Sequence, residues 1–536
     1  MTPPTRDGLP GRDTRAVRHA GPRGRSSAAE LPQQPSAAVV GGGIAGLAAA
    51  TCLAERGVEV HLLEREDYLG GRVGGWRTTL RDGSDVTMNR GFHAFFRQYY
   101  NLRALLRRAD PELDGLVGLP DYPLVHRDGY RDTFAGLPRT PFRNALAFVG
   151  RSPTFTWRDI PKLGTRAALP LADVRVPDTY HQLDHLDAAS FLDRIRFPKA
   201  AQHLAFEVFS RSFFSHPGEL SAAELATMFH IYFLGSNEGL LFDVASDCFP
   251  LALWGPLGQH LRRNGAHQRT STAVESVDHD GRQFRVHQRG GSELAVDSVV
   301  LATDVGALRG IVERSPELGD TAWRERVARQ RNARPFLVSR FWLDRPVRAD
   351  RPGFVGTSGF GPLDNISVLE RYEESAAQWA RKTGGSVVEL HSYALPGTPS
   401  ADELRPRTLA ELRAFYPEIA EAGIVDERHE LRDDCPHFGP GDFDDRPEIT
   451  TPHPGLVLAG DFVRTDLPVA LMERAATTGV QAANALLARW GVQGHELWSV
   501  PDRGRYAPLR WLAALGGKNR DQPARPERRS SQRRSA

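Results

Sequence analysis

The segment from Ala38 to Arg72 constrains this chain more than any other. An apolar run leads into Gly41-Gly42-Gly43-Ile44-Ala45-Gly46, a carboxylate follows at Glu64, and Arg65 and Gly70-Gly71-Arg72 close the stretch. Ala37 to Gly41 reads as a buried parallel strand, Ala45 to Arg56 as a helix of small residues, and Val58 to Glu64 as the next strand, which makes one βαβ unit. The glycines then serve different ends. Gly41 permits the tight turn, Gly43 lets backbone approach a pyrophosphate, and Gly46 lets the helix pack closely on the sheet. The helix start at Ile44 and Ala45 offers unpaired N–H groups and positive partial charge to phosphates. Glu64, eighteen residues after Gly46, falls where a carboxylate accepts hydrogen bonds from a ribose 2′-hydroxyl and disfavours a 2′-phosphate. A lone GxGxxG arises by chance in many chains. Here the strand before it, the helix behind it and the acid closing the second strand supply the context that a dinucleotide site requires.

The rest of the chain limits what can surround that site. At 536 residues it is long enough for three or four domains, but segments that return to one sheet reduce the expectation to two intertwined domains. The fold class expected is α/β, a Rossmann-like dinucleotide domain built from 37–100, 255–305 and 450–490, interleaved with a mixed α+β substrate domain from 101–254 and 306–449. A terminal helix over 491–517 follows. The apolar stretch Ala37 to Ala54 is interrupted by glycines and belongs to the βα unit, so no membrane span is expected. Cys52, Cys248 and Cys435 are far apart, without metal-ligand spacing, and neither a zinc site nor a disulfide framework is expected.

Charge is uneven. Residues 1–36 carry six Arg against three acids, and 518–536 carry seven Lys or Arg against two. Both tails are rich in Pro, Ser and Gly with few aliphatic residues, which predicts disorder. The N-terminus lacks the apolar core of a secretory signal. Arg outnumbers Lys sixty-four to four, a bias that runs through the whole chain, so its arginines do not mark a transit peptide. The expected location is the cytoplasm of a bacterium, at the inner face of its membrane.

Glu64 followed by Gly70-Gly71-Arg72 resembles the extended fingerprint of the flavin amine oxidase and carotenoid desaturase superfamily. That resemblance implies FAD as cofactor, with Arg72 beside the flavin and its phosphates. Near the other end, Gly455 to Asp461 reads as a strand ending in Gly460-Asp461, and Met472-Glu473-Arg474-Ala475 with Gly479-Val480 opens a helix of small residues. This pair is similar to the family's C-terminal flavin motif. It implies that Asp461 bonds the ribityl or phosphate region and that a helix N-terminus near Gly479 faces the electron-rich pyrimidine edge. Arg269 to Val277 with Asp297 to Thr303 resembles the middle segment, where Val274 would touch the adenine through its backbone.

The two insertions are expected to build a substrate site. The first is helical in character and rich in aromatics, with Phe92, Phe95, Phe96, Tyr99 and Tyr100 at its entrance, then Phe206, Phe209, Phe213, Phe214, Phe229, Tyr232 and Phe233. Together they favour an apolar cavity, although any single one fits an ordinary core. The second alternates apolar and polar residues over Phe336 to Leu343 and Ser386 to Leu395 and reads as strands beneath the substrate. No second glycine fingerprint sits between a strand and a helix, so no nicotinamide domain is expected and electrons should leave to a quinone, dioxygen or another carrier. Amine oxidases of the superfamily place a lysine near the flavin. Lys162, Lys199, Lys382 and Lys518 all lie outside the strand around Phe336 to Phe341, which weakens an amine substrate.

Gly71 to Trp76, Asn89 to Tyr100 and Phe206 to Phe214 resemble the bacterial carotenoid φ-ring synthases, over about residues 37 to 500. The resemblance implies an apolar carotenoid substrate whose β-ionone ring is desaturated with a methyl shift to an aromatic ring; a χ-ring synthase, an acyclic carotene desaturase or isomerase, and a non-enzymatic binding protein on the same fold are the alternatives. His93 is the candidate proton acceptor, with Glu207 and His230 as further candidates. Carotenes reside in membranes, and Pro508 to Leu515, with Leu509, Trp511, Leu512 and Leu515 near Arg503, Arg505 and Arg510, fits either a terminal helix packed on the body, the preferred reading, or a short interfacial helix.

Overall fold

A computed structural model describes residues 9–202 and 211–517. Its organising element is a five-stranded parallel sheet in the order His267–Arg269, Glu59–Leu63, Ser36–Val40, Ser298–Leu301, Leu456–Leu458. The strands come from three separated stretches of chain. Ala37 to Val40 and Val60 to Leu63 are buried, as a parallel strand covered on both faces must be. The helix Ile44–Ala54 crosses between them and is buried at every residue, which explains why it is apolar all round rather than striped. It packs on the long helix Leu471–Arg489. There Gly479 has its role: a Cβ on it would lie 2.3 Å from the Ala45 carbonyl oxygen and 2.8 Å from Ala48 Cβ.

The second layer is a seven-stranded sheet in the order Ile424–Arg432, Phe336–Leu343, Ser386–Ser392, Asn365–Val368, Phe354–Ser358, Leu124–His126, Arg131–Asp132. Every residue of Phe336–Leu343 and Ser386–Ser392 is buried, so their alternation separates two covered faces rather than core from water. One face, with Phe341, Leu343, Val388 and Leu390, packs on Leu409, Leu412 and Tyr416. The other carries Val338, Arg340, Trp342, Val387, Glu389 and His391, and Val338 and His391 border an internal cavity. The first insertion is helical for much of its length but also lends the strand Leu124–His126 to this sheet, parallel to Phe354–Ser358.

The expectation of a disordered tail over 1–36 is corrected for residues 9–36. Val17–His19 pairs antiparallel with Leu497–Ser499, Asp13 is fully buried, and Arg505 donates to both of its carboxylate oxygens at 2.6 and 2.8 Å. Composition suggested too little apolar surface for order, but this segment is held by backbone pairing and an ion pair to chain nearly five hundred residues away, which no local window contains. Residues 1–8 and the tail 518–536, with Lys518, lie outside the described residues.

Candidate active site

Among the described residues, one continuous cavity of about 500 Å³ runs from the glycine loop to a cluster of aromatic side chains. At one end it is lined by Gly41, Gly43, Ile44, Ala45, Glu64, Arg65, Gly70, Gly71 and Arg72, and at the other by aromatic side chains including Phe92, Phe96, Tyr122, Phe242 and Phe354.

The glycine loop is shaped by three different constraints. Gly41 sits at φ +106°, and a Cβ there would meet the Ala302 carbonyl oxygen at 2.4 Å. A Cβ on Gly46 would lie 1.9 Å from the Gly41 carbonyl oxygen, so this position is closed by packing of helix on strand. Gly43 differs: a Cβ would point into open space, with only Gly71 Cα within 4 Å, at 3.9 Å. The backbone here is bare toward the cavity, as a pyrophosphate lying on it would require. Gly43 also caps Ile44–Ala54 with no side-chain hydrogen bond, which leaves the first helical N–H groups for an anion.

Glu64 closes the far end. Its carboxylate accepts hydrogen bonds from the Gly42 N–H at 2.5 Å and the Glu66 N–H at 2.8 Å, leaving lone pairs for a ribose diol. Burial pushes its pKa up, against the pull of those two N–H groups. Ser271 and Thr272 N–H donate to the Glu66 and Glu64 carbonyls, which carries Val274 to the cavity wall. Arg65, also on that wall, pairs with Asp304 at 3.3 Å.

Arg72 and Asp461 meet: the guanidinium donates to the carboxylate at 2.6 Å and both line the cavity. Beside them the helix begins at Leu471, with Ala470 giving no side-chain cap. Leu471, Met472 and Ala475 line the cavity. The expected helix N-terminus near Gly479 is therefore corrected to Leu471, and Gly479 and Val480 do not line the cavity. The run of small residues around Gly479 reflects close packing on Ile44–Ala54, two turns beyond the true start. Gly460 is likewise a support, its N–H donating to Thr478 Oγ1 at 3.0 Å.

The apolar arm is built by rings in contact. Phe92 stacks on Phe354 at 4.2 Å and meets Phe242 edge-on at 5.6 Å, while Phe96 lies 4.4 Å from Tyr232. Phe213 and Phe214 also line the cavity, whereas Phe95 and Tyr100 are buried core and Phe229 and Phe233 stack on one another. Phe206, Phe209 and Glu207 lie outside the described residues. His93 lines the cavity with Nδ1 3.0 Å from the Gly91 carbonyl oxygen. That acceptor places the proton on Nδ1 and leaves Nε2 as a lone pair. Burial lowers its pKa to about 4, so the imidazole is neutral at neutral pH. His230 is corrected: it is fully buried, its Nε2 lies 2.7 Å from the Pro501 carbonyl oxygen, and it does not line the cavity.

Sequence reasoning missed a polar cluster on the cavity-side face of the second sheet. Glu389, His391 and Tyr393 stand at alternate positions of one strand and its extension, and His391 and Tyr393 line the cavity. The signal was there, since a Glu, a His and a Tyr at period two inside an otherwise apolar strand share one face. Reading the stretch only as a strand under the substrate passed over those three side chains.

The family described as flavin containing amine oxidoreductase matches residues 44–487. A carotenoid phi-ring synthase of Streptomyces griseus is 59% identical, over 94% of this chain and 97% of that protein. One from Chlorobaculum tepidum is 29% identical, over 90% and 92%. Among solved structures, a putrescine oxidase double mutant shares the fold with a TM-score of 0.62 at 17% identity, over 85% of this chain and 99% of that one.

Proposed function

The chain belongs to the flavin containing amine oxidoreductases and, within them, to the family of the carotenoid phi-ring synthases, and from that premise we propose that it binds FAD and aromatises a β-ionone end ring, as in the conversion of β-carotene to isorenieratene. The observation that carries the reading is the single cavity that joins a dinucleotide cradle to an arm of aromatic side chains. Among the described residues no lysine lines it, in keeping with a hydrocarbon rather than an amine.

The residues of the cradle fit the cofactor. Gly43 and the helix start at Ile44 would hold the pyrophosphate, Glu64 the ribose diol, Arg72 and Asp461 the ribityl and phosphate region, and the helix start at Leu471 and Met472 the pyrimidine edge. Bound there, a flavin supplies a two-electron acceptor for hydrogen leaving an unactivated allylic carbon. The protein contributes orientation and a dry wall around the ring. Loss of hydrogen with its electron pair next to the gem-dimethyl carbon leaves an electron-poor centre that captures a methyl group by a 1,2-shift. Proton loss and a further desaturation complete the aromatic ring. No external methyl donor is needed, because the methyl moves within the ring. The electrons then pass to a quinone, dioxygen or another carrier.

Membrane contact belongs to the same proposal. Phe142, Leu146, Trp157, Tyr506 and Trp511 are exposed. Phe142 and Tyr506 meet edge-on at 6.0 Å, and the Tyr506 hydroxyl donates to the Pro141 carbonyl at 2.8 Å. Trp511 projects from the terminal helix Ala507–Gly517 at 64% exposure, flanked by Arg510. A chain of stacked rings, Tyr122 on Phe134 at 4.2 Å and Phe134 on Phe148 at 5.4 Å, links the cavity wall to the helix Arg143–Arg151 that bears Leu146. Exposed aromatic side chains, with Arg510 beside Trp511, suit the surface of an anionic bilayer.

Expression in a β-carotene-producing bacterium tests the function. The expected product has lost four hydrogens per ring and no carbon, with the absorption of an aromatic carotenoid. An isomer of unchanged mass, or a protein purified without flavin, contradicts it.

A further inference from the structure

Aromatisation requires more than an electron acceptor. For each new C=C bond the ring loses two hydrogens: one would leave with its electron pair to a bound flavin as two-electron acceptor, and the other must leave as a proton to a base. His93 is poorly suited, since burial holds it at about 4 and its Nδ1 is turned to a backbone carbonyl rather than to a carboxylate that would balance an imidazolium.

The second sheet carries a better arrangement. Arg340 donates from Nε and Nη2 to Glu389 Oε2 at 2.9 and 2.6 Å, while Glu389 Oε1 lies 2.9 Å from His391 Nε2. His391 Nδ1 lies 2.5 Å from the Tyr393 hydroxyl, which also accepts from Asn365 Nδ2 at 2.9 Å. Arg340, Glu389 and His391 are each about 2% exposed or less, while Tyr393 is half-buried at the cavity wall. The proton positions follow from charge. Burial alone would raise Glu389, but Arg340 and His391 outweigh it and hold the carboxylate at about 2, so it is ionised and can only accept. His391 Nε2 therefore carries a proton, Nδ1 is a lone pair, and Tyr393 donates to it. The Phe92 N–H, 3.2 Å from the same Nε2, competes for that nitrogen but carries no charge. The other charged groups around the chain are already engaged: Glu373 faces Arg340 at 4.0 Å, and Asp364 accepts the Tyr393 N–H at 2.6 Å and pairs with Arg211 at 2.9 Å.

We infer that Tyr393 is the catalytic proton acceptor for the ring, relaying its own proton to His391, with Glu389 and Arg340 as positioning residues. The step rests on the ring-aromatising reading above. The ring C–H bond breaks and its electron pair becomes part of the new C=C bond. The proton goes to the Tyr393 oxygen as the tyrosine proton passes to His391 Nδ1, and the resulting imidazolium lies against ionised Glu389. Release of that proton to water resets the chain.

Purified flavin-loaded protein is tested with β-carotene as wild type and as Tyr393→Phe, His391→Asn and Glu389→Gln, with flavin content confirming that each variant folds. Y393F and H391N should lower kcat about a hundredfold with KM unchanged. Independently of turnover, a 15N spectrum of histidine-labelled protein, assigned by difference from H391N, should show His391 protonated at Nε2 and bare at Nδ1, with the Nδ1 signal shifted in Y393F. A Y393F enzyme as fast as wild type, or a proton found on Nδ1, overturns the relay alone. A wild-type enzyme that leaves the ring untouched overturns the ring-aromatising reading and the proton transfer with it.

Discussion

Arg72 donates a 2.6 Å hydrogen bond to Asp461 across 389 residues of sequence, tying the loop after the first βαβ unit to the strand end that precedes the long C-terminal helix. The pair sits in the cavity wall, with Asp461 buried. Burial opposes the charge on Arg72, but Asp461 and the neighbouring Cys435 and Asp434 outweigh it and raise its pKa.

Removing one partner of such a pair leaves the other charged and poorly solvated. Arg72→Met is therefore expected to destabilise the fold by about 3 kcal/mol and to leave the purified protein depleted of flavin. Urea unfolding and the ratio of flavin to protein absorbance check the two effects together.

Two glycines three residues apart should respond in opposite ways to the same added methyl group. Gly46→Ala drives a Cβ toward the Gly41 carbonyl and should lower stability by about 1–3 kcal/mol. Gly43→Ala meets no protein atom closer than 3.9 Å, so the flavin-free protein should stay within about 1 kcal/mol of wild type while flavin binding is lost. Thermal unfolding of flavin-free protein, set against flavin titration, separates packing from ligand approach.

His93 gives a pH signature. Its folded pKa is depressed by burial, from 6.5 to about 4, so between those values the unfolded chain binds a proton that the folded chain does not. Its contribution to stability is full above pH 6.5 and is lost as pH falls toward 4. His93→Gln should flatten that part of the stability curve, read by urea unfolding at pH 7 and pH 5, while retaining most turnover.

The exposed rings at 157 and 511 should matter for membranes and not for folding. Replacing both Trp157 and Trp511 with Ser is expected to weaken flotation with anionic liposomes about tenfold, a change of about 1.4 kcal/mol, with thermal stability unchanged. Equal flotation of the variant and wild type would exclude this surface as the membrane contact.

Much of the cradle was legible because its constraints are local. Gly41, Gly43 and Gly46 are read from a strand–turn–helix pattern, Glu64 from the end of the next strand, and each stands where the pattern placed it. Arg72 and Asp461 were legible by resemblance to a family motif, and their contact became visible only in three dimensions. Gly479 was misplaced because a stripe of small residues marks close approach of two helices as readily as a ligand, and only the position of Ala45 decides between them. The N-terminal segment misled for a related reason, as the partners of Asp13 and Val17 are Arg505 and Ser499. The Tyr393–His391–Glu389 chain shows the converse: its spacing was local and readable, but which sheet face met the cavity depended on pairing with Phe336–Leu343 and on the covering of both faces.

The most direct test is a single turnover without dioxygen, in which purified flavin-loaded protein meets either β-carotene or acyclic lycopene and the products are weighed by mass spectrometry. For a ring-aromatising enzyme, β-carotene should lose hydrogens in pairs, with no carbon gained or lost and no more than one pair per flavin, while lycopene returns unchanged. Desaturation of lycopene with β-carotene left intact would contradict that function.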